Sequence, residues 1–309
     1  MNQPVKRKRV PVHGVLLLDK PAGMSSAQAL AKAKWLLNAE KAGHTGTLDP
    51  FATGLLPLCF GEATKFSQDL LEADKTYEAT VQLGVSTTTG DTEGEVIETK
   101  PVDISPEQVE AVLATFRGTI RQVPPMYSAL KRDGKALYEY AREGITLERE
   151  AREVTIYALE LIECLPSQLR LRVTCSKGTY VRVLGEDIGA ALGCGAHLTA
   201  LRRTAIDVLH LSKAILLEDL MAMSDAARTD CLLPVDTLLS KFPRIELNEE
   251  LARRFRQGQR IALDRAGIVA PCDEGRVRVY DAHALLGTAI VLHGALLAPE
   301  RLMGNIPSH

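Results

Sequence analysis

The sequence predicts an α+β fold, in which a largely antiparallel mixed sheet flanked by helices is followed by a small β-rich unit. Three features predict it. Strand-like runs mix irregularly with helical stretches, without the regular alternation of a doubly wound parallel sheet. Residues 152–163 and 168–175 read as an antiparallel pair turning at Pro166-Ser167. Beyond Pro243, short strands separated by glycine replace the longer elements, as in a small barrel. A chain of 309 residues accommodates one large domain and one small one.

Taken in order, residues 15–18 form a short buried strand. Ser25 or Ser26 caps a helix reaching about residue 37, with Leu30, Lys34 and Trp35 spaced for one partly apolar face. A glycine-rich loop follows over 43–54, then a helix near 63–71. Residues 77–83 alternate as a strand, and 84–95 form a polar connection rich in Thr and Gly. Ser105-Pro106-Glu107-Gln108 opens a helix to residue 116, with proline in its first turn. Residues 123–130 are irregular and 135–142 helical. A helix over 181–192 ends at Gly193, and 198–209 is strand-like. The second unit opens with a helix over 248–257, carrying Leu251 and Phe255, then strands at 277–280 and 288–292. The division expected is a basic arm at 1–11, a main domain at 12–240 and a small domain at 243–309.

A hydrophobic fraction of 46% with 25% charged residues is that of a globular protein in water. No apolar run is long enough to span a bilayer, and the apolar stretch after Lys6-Arg7-Lys8-Arg9 is too short for a secretory signal, which predicts a cytoplasmic protein without membrane contact. The six cysteines include no Cys-x-x-Cys, so a zinc ribbon or redox pair is not indicated and reduced thiols are expected. A net charge of −2 argues mildly against nucleic-acid binding. The charge is uneven, however: the first 50 residues hold eight Lys/Arg against three acids, and further basic pairs stand at Lys131-Arg132 and Arg202-Arg203. A basic face on a neutral body can bind a phosphate backbone.

The most informative stretch is Gly43-His44-Thr45-Gly46-Thr47-Leu48-Asp49-Pro50-Phe51-Ala52-Thr53-Gly54. Glycines supply unusual backbone angles and Pro50 pushes Asp49 out of helical geometry, so the run reads as a shaped loop holding one carboxylate and one imidazole. An Asp before Pro is most often a turn former. The loop lacks the Gly-Lys-Ser/Thr ending of a P-loop and the spacing of a dinucleotide fingerprint. The residues by themselves therefore define a structured loop with one carboxylate.

The same run, continued by Leu55-Leu56-Pro57 and Gly61-Glu62-Ala63-Thr64-Lys65, resembles the signature of TruB-type tRNA pseudouridine synthases. Further blocks resemble that family in its order: Gly14-Val15-Leu16-Leu17-Leu18-Asp19-Lys20-Pro21, Asp74-Lys75-Thr76-Tyr77, Pro125-Met126-Tyr127-Ser128-Ala129-Leu130-Lys131, Cys175-Ser176-Lys177-Gly178-Thr179-Tyr180-Val181-Arg182 and Gly193-Cys194-Gly195-Ala196-His197-Leu198. Together they cover about residues 12–205. Thr47 stands where some relatives carry Ala, a small change in a loop.

The resemblance implies a pseudouridine synthase catalytic domain followed by a PUA-like RNA-binding domain. It implies isomerisation of uridine 55 in the tRNA T-loop by base flipping, with no cofactor and no metal, by a monomer whose partner is the tRNA T-arm. An additional tRNA-folding role is compatible with it. By the same resemblance Asp49 is the nucleophile and Arg182 orients it. Tyr77 stacks on the uracil and takes part in proton transfer. Tyr180 and Leu201 line the uracil pocket, Lys20 with Pro21 supports the catalytic loop and counts among the substrate-binding residues, and His44 fills the space of the flipped base. Attack at uracil C6, attack at ribose C1′ and a glycal route are all compatible with one carboxylate.

Overall fold

A computed structural model of the chain describes residues 8–293 and 295–304. Met1 to Arg7 of the basic arm lie outside the described residues, as do Gly294 and Asn305 to His309. The first strand, β1 (Gly14–Lys20), leads through a short loop into α1 (Ser26–Leu36), β2 (Ala42–His44) and β3 (Thr53–Phe60). A 3-10 turn (Gly61–Lys65) and α2 (Ser67–Leu71) precede β4 (Lys75–Leu83), the hairpin β5 (Val85–Thr87) and β6 (Val96–Thr99), α3 (Pro106–Thr115) and β7 (Gly118–Gln122). A small hairpin, β8 (Lys131–Arg132) and β9 (Lys135–Ala136), leads to α4 (Leu137–Arg142), β10 (Arg152–Leu165), β11 (Gln168–Cys175), α5 (Val181–Ala191), β12 (Ala196–Ile206), β13 (Leu209–His210), β14 (Ile215–Leu216), α6 (Leu217–Ala222) and α7 (Asp225–Asp230).

Ten of these strands form one sheet, in the order β14-β1-β3-β12-β4-β11-β10-β7, with β2 added to β3 and β13 to β12, while β5-β6 and β8-β9 pair separately. Only β1–β14 and β12–β3 are parallel pairs; the other pairings in the sheet are antiparallel. The expected antiparallel pair is present as β10 and β11. Helices α1, α3 and α5 pack apolar residues such as Ala33, Leu113 and Ile188 into the core of the sheet. Ser25 and Ser105 close capping boxes with Gln28 and Gln108, so the two helix starts follow from local hydrogen bonding. The strand β3, absent from the sequence reading, is buried along nearly its whole length. A strand covered on both faces has no polar alternation to betray it, and Pro57 argues locally against a central strand.

One expected face is corrected. On α1 the buried side chains are Ser26, Ala29, Ala33 and Leu36, while Leu30 is half-buried and Trp35 is 58% exposed. The small Ala29 and Ala33, both fully buried, lie on the face that packs into the core.

The C-terminal unit has its own sheet and core. Strands β15 (Arg244–Glu246), β16 (Ile261–Ala262), β17 (Gly275–Tyr280), β18 (Leu285–Leu292) and β19 (Leu296–Leu302) pair in the order β15-β17-β18-β19-β16. Helix α8 (Glu249–Arg256), capped by Asn248, buries Leu251 and Phe255 against them. This is the small PUA-like β unit expected beyond Pro243. Among the described residues no helix is long and apolar enough to cross a membrane, and the six cysteines are unpaired.

Candidate active site

The glycine-rich loop bridges β2 and β3, so its ends are fixed by the sheet and its middle by side chains from beneath. Ser26 Oγ accepts the Leu48 amide at 2.8 Å and donates to the Leu48 carbonyl at 3.0 Å. The Gly23 amide donates to the Pro50 carbonyl at 2.8 Å. Lys20, fully buried, donates to the carbonyls of Met24 at 2.6 Å, Pro21 at 2.8 Å and Pro50 at 3.3 Å. Asp49 is thus clamped on both sides. The sequence reading counts Lys20 among substrate-binding residues. In the structure its ammonium donates to carbonyls under the loop, the supporting position that the resemblance also implies. Burial pushes the Lys20 ammonium down to about 8, against the pull of Asp49.

Strand β12 sets the other wall. It pairs Arg203 with Gly54 of β3 on one side and with Tyr77 of β4 on the other. A Cβ on Gly54, whose φ is +101°, would stand 2.3 Å from the Arg203 carbonyl oxygen, so only glycine admits this crossing. After β11, residues 176–180 turn into α5, whose second residue is Arg182. Gln122 braces the turn, accepting the Tyr180 amide at 3.1 Å and donating to its carbonyl at 3.3 Å.

Arg182 is the hub. Its Nε lies 2.9 Å from Asp49 Oδ2 and its Nη1 3.3 Å from Asp91 Oδ2. Nη1 also donates to the Thr89 carbonyl at 2.9 Å and Nη2 to the Tyr127 carbonyl at 2.7 Å. With every edge of the guanidinium occupied, the side chain cannot swing, and Asp49 receives a fixed partner. Asp91 is held in turn by Thr89 Oγ1 at 2.5 Å and the Glu93 amide at 2.9 Å. The Arg182 and Asp91 side chains retain 4% and 3% of their surface, whereas Asp49 keeps 35%, all at the edge of the cleft. Packing around the carboxylate still dominates its electrostatics: burial pushes Asp49 above its usual range, Arg182 pulls it down, and the like charge of Asp91 raises it.

A cavity of about 380 Å³ opens over this pair, and Asp49, Tyr77, Tyr180, Arg182 and Leu201 all line it. Burial pushes the Tyr77 phenol up, against the pull of Arg203, so the ring meets a ligand in its protonated form. His44 lines an adjoining cavity of about 920 Å³ that shares Asp49 and Arg182 with the first. Burial and the nearby Arg203 push its imidazole down, and its buried Nδ1 has no hydrogen-bond partner among the described residues. The site therefore offers an oriented carboxylate, an aromatic wall and a neutral imidazole around a space of nucleoside size. That arrangement can deliver a carboxylate nucleophile to a flat ligand. Among the described residues no group of His, Cys, Asp or Glu is placed to hold a metal ion.

Two residues of this site have no role in it by sequence. Asp91 sits in a Thr- and Gly-rich connection, where an acid reads as a turn former. Arg203 reads as half of a basic surface pair, yet strand alternation separates the two: Arg202 reaches outward to Asp19, while Arg203 is 1% exposed. Arg203 donates to the carbonyls of Leu55 at 2.8 Å and Gly46 at 3.1 Å, and has no carboxylate partner among the described residues.

The same architecture is found in solved structures of larger assemblies. A chain of a crystallised Cbf5–Nop10–Gar1 complex matches with a TM-score of 0.70 and 27% identity, over 94% of this chain and 84% of that one. A chain of an H/ACA RNP bound to a substrate RNA containing 2′-deoxyuridine matches with a TM-score of 0.72 and 25% identity, over 95% and 86%. Residues 34–181 match the N-terminal domain of TruB family pseudouridylate synthases, 182–240 a tRNA pseudouridylate synthase B C-terminal domain, and 243–303 a pseudouridine synthase II TruB C-terminal domain. A tRNA pseudouridine synthase B from Burkholderia lata is 62% identical over 96% of this chain and 93% of its own. One from Ralstonia pickettii is 57% identical over 97% of each. The chain belongs to the TruB family of pseudouridylate synthases.

Proposed function

We propose that this protein isomerises uridine 55 in the T-loop of tRNA to pseudouridine, as a monomer without cofactor or metal. The observation that carries the reading is the Asp49–Arg182 pair, fixed at the floor of a cavity walled by Tyr77, Tyr180 and Leu201. Relatives of 57–62% identity bear the name tRNA pseudouridine synthase B, which supports tRNA as the substrate.

In this reading Asp49 acts as its carboxylate. The bond from ribose C1′ to uracil N1 breaks, the base turns, and C5 bonds to C1′ while the C5 proton moves to solvent and N1 gains one. The product is an isomer, so neither redox partner nor energy carrier is consumed. Tyr77 stacks on the base and, being protonated, acts as a donor. The target uridine must leave its stack, at a cost of a few kcal/mol. The neutral, planar His44 occupies the vacated space and offsets part of that cost. Residues 12–240 form the catalytic domain, and 243–309 an RNA-binding domain.

The test is an unmodified tRNA transcript tritiated at uracil C5, incubated with the protein in metal-free buffer. Tritium should be released from the T-loop uridine. The Asp49→Asn variant should bind tRNA within about tenfold of the parent and release none, since it loses the nucleophile but little contact area. Near-normal release by Asp49→Asn would refute the assignment of Asp49, and release from another position would refute that of the target.

A further inference from the structure

The most unusual exposed side chain is Trp35, the single tryptophan of the chain. It lies on the face of α1 turned away from the sheet and is 58% exposed. With Ala27 and Ala31, both exposed, it forms a stripe at i, i+4 and i+8 along the helix. Ala27 lines the cavity beside Asp49, so the stripe starts at the cleft and ends at the ring. Eight residues of helix span about 12 Å, roughly three to four nucleotide steps.

The helix that carries this ring is basic, whereas α6, packed against it, carries Glu218 and Asp219. Lys32 Nζ lies 5.5 Å from the Trp35 centroid. Helix α1 contains no acid, and between Lys20 and Leu48 the only acidic residue is Glu40. None of Lys8, Arg9, Lys32, Lys34 and Lys41 has an ion-pair partner among the described residues. The arm is tied down here: Asn38 Nδ2 donates to the Lys8 carbonyl at 2.7 Å, and Arg9 Nη1 to the Lys34 carbonyl at 3.2 Å. The arm residues Lys8 and Arg9 are therefore anchored at the C-terminal end of the helix that carries Lys32, Lys34 and Trp35. Elsewhere on the main sheet, exposed arginines such as Arg117, Arg170 and Arg172 are neutralised by glutamates.

We propose that this face of α1 is a second docking surface for the RNA substrate, where an unpaired base stacks on Trp35 and adjacent phosphates lie on Lys32 and Lys34. An exposed aromatic ring among unpaired cations matches a strand that presents both bases and phosphates. Continuity with the cleft places the contact on the same RNA that delivers its uridine to Asp49, so the proposal rests on the RNA-substrate reading above. An acidic protein would satisfy the cations and leave the ring unmatched.

Because the chain has one tryptophan, its fluorescence reports the contact directly. The protein carrying Asp49→Asn is titrated with an unmodified tRNA transcript while Trp35 emission is followed, and binding is measured in parallel on filters. Saturable quenching is expected, with the same midpoint as filter binding. Trp35→Ala should weaken tRNA binding about tenfold and Trp35→Phe should recover most of it, as stacking on an aromatic ring requires. Replacing Lys32 and Lys34 by Ala should lower the salt slope of binding by about two. Unchanged emission with intact filter binding, or equal quenching by polyglutamate, which has charge but no bases, would overturn the proposal and leave the function reading standing. Absence of tRNA binding altogether would overturn both. These readouts are independent of catalysis and of which uridine is modified.

Discussion

Two arginines, each held between two carboxylates, do opposite work in this protein. In the cleft, Arg182 stands between Asp49 and Asp91. At the seam between the main sheet and the C-terminal unit, Arg276 of β17 stands between Asp69 of α2 and Glu300 of β19, with its guanidinium over the Phe242 ring. Both clusters leave one acid about a third exposed: 35% for Asp49 and 36% for Glu300. What that acid faces differs. Glu300 lies on β19 and accepts the Thr288 hydroxyl of β18, and its cluster acts with the contacts of Lys65 to the Leu302 carbonyl and of the Gly304 amide to Glu62 as fasteners of the seam. Asp49 faces a cavity whose walls strip its solvent and push its pKa upward. The same charge pattern is thus a fastener where the acid meets solvent, and a chemical tool where it meets a shaped void.

The sharpest way to break this contrast is to remove the arginines' partners or the hub itself. Arg182→Ala should cost on the order of a thousandfold in single-turnover rate if Asp49 is the nucleophile proposed above, since that carboxylate loses its cationic partner. It should also cost about 3–5 kcal/mol of stability, because Asp91 is left buried and unpaired. Urea unfolding beside rapid-quench kinetics would separate the two, and a variant that lost stability alone would make Arg182 a fastener like Arg276.

Asp91→Asn should have the next largest effect, about a hundredfold on rate through loss of alignment. It also carries a pH signature. In the proposed reaction Asp49 works ionised, and its folded pKa is raised, so the rate should fall as pH drops through a value above the ordinary one for a carboxylate. Removing the negative charge of Asp91 lowers the Asp49 pKa, so the acid limb of the rate profile should move to lower pH even as the plateau falls. A limb that stayed in place would show that Asp49 does not feel Asp91.

The smallest effect belongs to the seam. Asp69→Asn should lower stability by about 2 kcal/mol, the scale of a hydrogen bond to a charged group, and leave the single-turnover rate of the saturated enzyme unchanged. A parallel loss of rate would mean that the seam positions the cleft after all.

Several parts of the fold and site are legible without the structure because they depend on neighbours along the chain. The capping boxes at Ser25 and Ser105 close within a single helical turn, and the bend of the Asp49 loop follows from its glycines and Pro50. The antiparallel pair of β10 and β11 is joined by a tight turn. Asp49 and Arg182 are recognisable for a different reason, since they stand in long motifs resembling one family. Tyr77, Tyr180 and Leu201 come from that resemblance too, and the structure brings them to the same cavity.

Lys20, Asp91, Arg203 and Trp35 escape or mislead such reading. Three of them are charged residues whose local context is that of a solvated side chain, and they lie buried at 0%, 2% and 1%. The fourth is the large ring that local spacing would put inside. By itself, then, the sequence determined the short-range features: helix starts, the loop's shape, the hairpin and the family. Tertiary structure decided which charges lose water and which ring keeps it, because desolvation depends on strands and helices far apart in the chain. Arg203 is buried only because β12 runs between β3 and β4. Trp35 is exposed because the face of α1 that packs into the core is the one bearing Ala29, Ala33 and Leu36.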